Sequence, residues 1–167
     1  MTAPGERSEI ERLFKGWAPH VADIWKLYPE ELVKWGIFDM EKNPPPTYAS
    51  GRVCIVGDAA HASTPFLGVG ACTGVEDALV LCTLLKSVQQ KALDGGLEKE
   101  SLTRALQEYS RARLERGRWV HHSSREVGEM LQWRFGPTGR DKERIKLKLE
   151  RDSHTIVNYK VLAPITA

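Results

Sequence analysis

The sequence predicts an α/β chain that is mostly helical, with a few strands. Three observations carry this. Val53, Cys54, Ile55 and Val56 form a continuous apolar run closed by Gly57 and Asp58, the pattern of a strand buried on both faces. Two long stretches, at about 73–90 and 101–133, repeat apolar residues every three or four positions, which is the helical period. Proline and glycine punctuate the chain between these segments.

Taken in order, residues 8–16 read as a short helix with Ile10, Leu13 and Phe14 on one side. A second helix carries Val21, Ile24, Trp25 and Tyr28 and is ended by Pro29. Residues 34–40 read as a strand. Asn43 and the three prolines after it make a stiff link that stops any element. The apolar run at 53–56 follows, then a loop over 59–70. The helix of 73–90 is expected to turn Val75, Ala78, Leu79, Cys82 and Leu85 inward, with Thr73 and Glu76 as a capping box at its start. Along 101–133 the stripe is Leu102, Ala105, Leu106, Tyr109, Arg113, Gly117, Val120, Ser124, Val127 and Leu131. Gly117 and Gly128 sit on that stripe, where each lowers helix propensity, so close packing is the expected reason for them. A charged helix at 141–152 and a short apolar tail complete the chain. Three segments result: 1–50, 51–92 and 93–167.

Composition narrows the function classes. Hydrophobic residues are 41% and charged residues 28%, so a packed soluble core is expected. The longest apolar run, residues 78–82, is too short to span a bilayer, and residues 1–11 are polar with no secretory apolar region. A net charge of +2 is too mild for a nucleic-acid binder. Basic residues cluster at 104–118 and 140–151, but acidic residues interleave with them, as on solvated helix faces. The three cysteines, Cys54, Cys72 and Cys82, are read as core residues in a reducing, cytoplasmic setting. His121 and His122 are read as lacking a spaced acidic or histidine partner, so no metal site is expected. The five tryptophans read as packing residues.

The segment from Gly51 to Ala78 carries the chemistry. A strand delivers Asp58 at its carboxyl end, where open α/β sheets bind ligands. Ala59, Ala60, Gly68 and Gly70 let backbone approach a ligand closely. The helix that follows aims its amino end at the same crevice, which favours an anion or developing negative charge. On spacing alone, an ordinary strand–loop–helix corner with a capping aspartate is an equal reading.

Gly57-Asp58-Ala59-Ala60-His61, Pro65, Gly68-Val69-Gly70 and Glu76-Asp77-Ala78 resemble the second FAD motif of the class A flavoprotein monooxygenases, the salicylate hydroxylase and 4-hydroxybenzoate hydroxylase type. Similarity extends over residues 8–160. It implies the C-terminal portion of an FAD-binding, Rossmann-like fold of the glutathione-reductase type. Segment 1–50 would be the tail of a substrate-binding domain, 51–92 the strand–loop–helix that contacts FAD, and 93–167 a C-terminal helical segment. The resemblance implies that Asp58, Ala59, Pro65, Gly68, Val69, Gly70 and Ala71 bind the cofactor. Asp58 would meet the ribityl or pyrophosphate region, Pro65 the ring system and the substrate pocket, and residues 68–70 the pyrimidine edge. His61 is expected to make a structural hydrogen bond, and no catalytic residue is assigned.

The family's G-x-G-x-x-G strand and its Asp-Gly fingerprint are absent from this sequence, and Cys72 and Thr73 replace residues common after the G-x-G. Activity as a monooxygenase would use FAD, NAD(P)H and a small aromatic-like substrate, with FAD weakly held or not held by this chain alone. An N-terminal partner chain or self-association would complete it. The alternative is a shortened, flavin-independent scaffold serving as a non-redox cyclase or isomerase, or as a ligand-binding or interaction protein.

Overall fold

The computed structural model describes residues 1–96 and 100–166. They divide into two units, Met1–Ile37 and Phe38–Ala167. The chain is an α/β protein dominated by helices, with four short strands among the described residues.

In the first unit, β1 (Thr2–Glu6) pairs antiparallel with β2 (Glu31–Trp35), from Thr2 opposite Trp35 to Glu6 opposite Glu31. The strand expected at 34–40 therefore lies earlier in the chain. Pairing ends where β1 ends, because a strand persists only beside a partner backbone. The last link is the Gly36 amide donating to the Met1 carbonyl at 2.9 Å. Helices α1 (Arg7–Leu13) and α2 (Pro19–Trp25) connect the two strands. Phe14 holds the unit's aromatic cluster, with ring centroids 4.8 Å from both Trp17 and Trp25. Trp17, Trp35 and, in the second unit, Trp133 are exposed, so a purely packing role does not describe all five tryptophans.

The second unit begins with a hairpin of β3 (Ala49–Ser50) and β4 (Val53–Cys54), turned by Gly51 at φ 58°. The strand expected over 53–56 is thus short, antiparallel and open: Val53 is 68% exposed. Burial on both faces needs a neighbouring strand on each side, and among the described residues only β3 pairs with it. Then follow α3 (Asp58–His61), a 3-10 turn (Pro65–Leu67), α4 (Gly70–Leu93), α5 (Ser101–Leu131), α6 (Lys142–Val157) and α7 (Ala163–Thr166).

Helix α5 is the spine of this unit. Its buried face includes Ala105, Leu106, Tyr109, Arg113, Gly117, Val120, Ser124, Val127 and Gly128, close to the stripe read from the sequence. Tyr109 and Ala112 join Tyr48, Ala60 and Val80 in the core, with Leu81, Leu84, Val161, Leu162 and Ile165 packed around them. Gly117 is required by sterics: a Cβ there would lie 2.1 Å from the hydroxyl of the buried Tyr48. The β3 approach is tied to the same helix by the Tyr48 amide, which donates to Ser110 Oγ at 2.8 Å.

Helix α4 reverses the expected face. Thr73, Asp77 and Val80 are its buried residues, whereas Val75 and Leu79 are exposed, with Cys72 and Cys82 beside them. Two of the three cysteines are therefore not core residues. No helix among the described residues is long and apolar enough to cross a membrane.

Candidate functional site

A turn that favours glycine opens the site. Gly57 has φ 56° and ψ −136°, a conformation that disfavours any residue with a Cβ. It turns the chain sharply from β4 into α3, and Asp58 becomes the first residue of that helix, exposed to solvent. Among the described residues no partner holds its carboxylate. Gly57 reaches α4 closely: a Cβ on Gly74 would stand 3.8 Å from the Gly57 Cα.

Asp77 fastens the turn from below. It is fully buried, and three groups converge on its carboxylate. The Gly57 amide donates to Oδ2 at 2.8 Å, His61 Nε2 lies 2.6 Å from the same oxygen, and Arg113 Nε donates to Oδ1 at 2.7 Å. Burial pushes the Asp77 carboxyl up, but the bonds from His61, Arg113 and Gly57 outweigh it and hold the group below its ordinary value. Arg113 also donates to Glu76 at 2.7 Å, and Arg116 donates to the other Glu76 oxygen at 2.8 Å. Arg116 stacks on Tyr159, 4.1 Å from the ring centroid. Burial, with Asp77 nearby, pushes the Tyr48 phenol up to about 12. His61 thus makes a buried structural hydrogen bond, but to Asp77 of α4 rather than within its own loop.

The capping box expected at Thr73 and Glu76 does not form. Helix α4 begins three residues earlier, at Gly70, and Thr73 Oγ1 donates back to the Val69 carbonyl at 2.9 Å. Glu76 is drawn to the two arginines instead. The amino end of α4 therefore has no side-chain cap and no acidic residue in its first turn. Its amides, at Gly70 and Ala71 onward, lack an internal acceptor and suit an anion or electron-rich edge. Around them, Gly68 sits at φ 72°, and neither Gly68 nor Gly70 has an atom within 4 Å of where a Cβ would project.

The other expected site residues lie on this edge. Ala59, Pro65, Gly68 and Ala71 are exposed, Gly70 is half-buried, and Val69 is buried beneath them. The Gly57 to Asp77 and Gly57 to Gly74 contacts bring the Asp58 turn against the first turns of α4. An exposed carboxylate, open glycine backbone and an uncapped helix end fit a ligand carrying both hydroxyls and an electron-rich ring or phosphate, which is the donor set FAD requires.

Sequence reasoning missed Asp77 as the tether, because a buried aspartate looks like a surface residue in a helical pattern. It also missed Glu41. That side chain accepts from His121 Nδ1 at 3.0 Å and His122 Nδ1 at 2.7 Å, and Glu126 lies 3.4 Å from His122 Nε2, so both histidines have acidic partners. Among the described residues no group of three or more His, Cys, Asp or Glu is arranged to hold a metal ion.

A positive-φ glycine turn, a buried tether and an open helix end define this strand–loop–helix. Residues 7–120 match the family model for the FAD binding domain, and the chain belongs to that family. An FAD-dependent monooxygenase of Aspergillus terreus is 47% identical over 161 residues, covering 96% of this chain and 37% of that protein. A salicylate hydroxylase solved as a substrate complex is similar with a TM-score of 0.79 and 32% identity, over 98% of this chain and 37% of the other. Klebsiella pneumoniae HpxO, solved with FAD and uric acid, gives a TM-score of 0.60 and 26% identity over 90% of this chain and 35% of the other. The chain thus spans little more than a third of the length of these relatives.

Proposed function

We propose that this chain supplies the C-terminal, flavin-contacting part of an FAD-dependent, NAD(P)H-using monooxygenase that hydroxylates an aromatic or related small molecule. The surrounding architecture would be the Rossmann-like, glutathione-reductase type. The observation that supports this most is the exposed Asp58 carboxylate, on a turn that a buried tether fastens at Gly57 beside an uncapped helix start. In this reading Asp58 accepts a hydroxyl of the ribityl chain or contacts the pyrophosphate region. Ala59 leaves room for that approach. Residues 68–71 present amides to the pyrimidine edge, where the α4 dipole stabilises negative charge. Pro65 borders the ring and the substrate. Bound FAD supplies the transfer of reducing equivalents from nicotinamide and the activation of oxygen.

Flavin fluorescence during an FAD titration tests the reading. The chain alone lacks the G-x-G-x-x-G half, so saturable binding weaker than about micromolar is expected. A hydrogen bond to a charged group contributes roughly 1.5–3 kcal/mol, so Asp58→Ala should weaken binding about tenfold to a hundredfold while leaving the far-ultraviolet circular dichroism unchanged. Equal affinity in wild type and Asp58→Ala would remove the cofactor contact and leave Asp58 as a helix-start residue only.

A further inference from the structure

Resting on the flavin reading above, we infer that Ser124 of α5 is a positioning residue for the flavin-facing turn, and that Gly128 supplies the slot that completes its grip. Ser124 is fully buried. Its hydroxyl accepts from Thr64 Oγ1 at 2.9 Å and from the Leu67 amide at 3.1 Å, and it donates to the Thr64 carbonyl at 2.5 Å. A serine hydroxyl has one donor and two acceptor sites, and all three are used on this one turn. They clasp both ends of it: the carbonyl before Pro65 and the amide of Leu67.

Phe66 fixes the turn in a second direction. Its ring lies so close to Gly128 that a Cβ there would come within 2.4 Å of Cδ2 and 2.6 Å of Cε2. Residues 124 and 128 are four apart, so they present the hydroxyl and the slot on the same face of α5. The chain leaves this turn through Gly68, whose amide donates to the Pro65 carbonyl at 3.1 Å, and enters α4 two residues later. The direction of the open amides at 68–71 is therefore set by what holds residues 64–67. Because α5 also carries Arg113, one rigid helix holds both ends of the loop, the Gly57 turn through Asp77 and the Pro65 turn through Ser124. A misplacement of about 1 Å at a reacting centre can lower rate on the order of a hundredfold, so such a clasp has a functional consequence beyond packing.

Nuclear magnetic resonance on the ¹⁵N-labelled chain separates positioning from simple stability. Ser124→Ala is compared with Leu106→Ala, a core truncation on the same helix eighteen residues away, or about 27 Å along it. Two quantities are read: hydrogen exchange at the Leu67 amide, and FAD-induced shifts of the amides at 68–71 during titration to millimolar FAD. Ser124→Ala is expected to speed Leu67 exchange and weaken the FAD response, each by about three- to tenfold. Leu106→Ala is expected to lower the melting temperature at least as much while leaving both readouts at wild-type values. If Ser124→Ala is too unstable to study, Ser124→Cys, with nearly the same size and a weak donor, takes its place in the comparison. Unchanged Leu67 exchange, or an FAD response equal to wild type in the Ser124 variant, overturns the inference alone. Effects of the same size in Leu106→Ala also overturn it, since stability would then explain both. Absence of any FAD-induced shift in the wild-type chain overturns the flavin reading and this inference with it.

Discussion

At the scale of single residues, the tether at Asp77 sets how the site responds to acid. Two carboxylates, Asp77 and Glu76, face two guanidiniums, Arg113 and Arg116, and all four are largely buried. A buried pair of this kind adds little net stability over an apolar pair, but removing one partner strands the other without water. Asp77→Asn leaves Glu76 as the one carboxylate bonded to Arg113 and turns an amide group toward one of the three donors that Asp77 now accepts. Destabilisation of about 3–5 kcal/mol is expected, measured by urea unfolding near neutral pH. The pH dependence follows from the direction of the shift. The folded Asp77 carboxyl lies below its unfolded value, so its contribution is complete above the unfolded value and is lost as pH falls through the folded one. Asp39, bonded to Arg125, and Glu41, bonded to both histidines, are shifted in the same direction, against the opposing effect of burial. Wild type should therefore lose stability steeply below about pH 4, and Asp77→Asn should flatten that slope as well as lower the plateau. His122 has the opposite sign. Its folded value is raised, chiefly by the bond to Glu41, so its contribution fades as pH rises through that value; the ring is mostly exposed, and the effect is small.

At the scale of elements, legibility in the sequence followed how local each element's cause was. Helix α5 was readable because its stripe repeats over 31 residues, and Gly117 and Gly128 announced close packing that Tyr48 and Phe66 confirm. Helix α6 was readable as a charged helical run, but its cap was not: Asp141, expected as the first helical residue, lies just before the helix, and its Oδ1 accepts from the amides of Glu143 and Arg144 at 3.0 and 3.1 Å. Loss of that cap in Asp141→Ala should destabilise α6 by about 0.5–2 kcal/mol, visible as faster amide exchange in its first turn with α5 unaffected. The short strands were not readable, because β2 and β4 end where partner backbone ends, and pairing partners are not encoded in the strand itself. The inward face of α4 was misread for a different reason. Val75, Leu79 and Leu85 have the right period for a core, while the residues that are buried, Thr73 and Asp77, are polar and made tolerable only by arginine and histidine from elsewhere in the fold. The seven positions expected to meet a cofactor stand out as a motif; the groups that hold their loop, Asp77 and Ser124, do not, since each acts through partners 16 to 60 residues away.

At the scale of the whole molecule, the exposed apolar residues of α4 are part of a large total surface. The chain exposes 11564 Å². A folded monomer of its mass, 18.8 kDa, exposes roughly 8,300 Å², and two separate globules of the sizes of its two units would expose only about 9,700 Å². The excess over two separate globules is roughly 1,900 Å², more than the ~800 Å² that each partner contributes to a standard protein interface. The exposed apolar side chains of the second unit include Val53 and Val56 beside the β3–β4 hairpin, and Val75, Leu79 and Leu85 along α4. The hairpin also leaves a short strand edge open, which pairs readily with another chain. Large exposed apolar surfaces mark interaction sites or aggregation-prone faces. Purified alone, the chain is expected to run as a dimer or larger species in light scattering, and a charged substitution on the outward side of α4, Leu79→Glu, should shift it toward monomer without unfolding it, since Leu79 is 46% exposed and outside the core. A monodisperse monomer at high concentration, unaffected by Leu79→Glu, would show that the excess surface is stable in water and that α4 needs no cover.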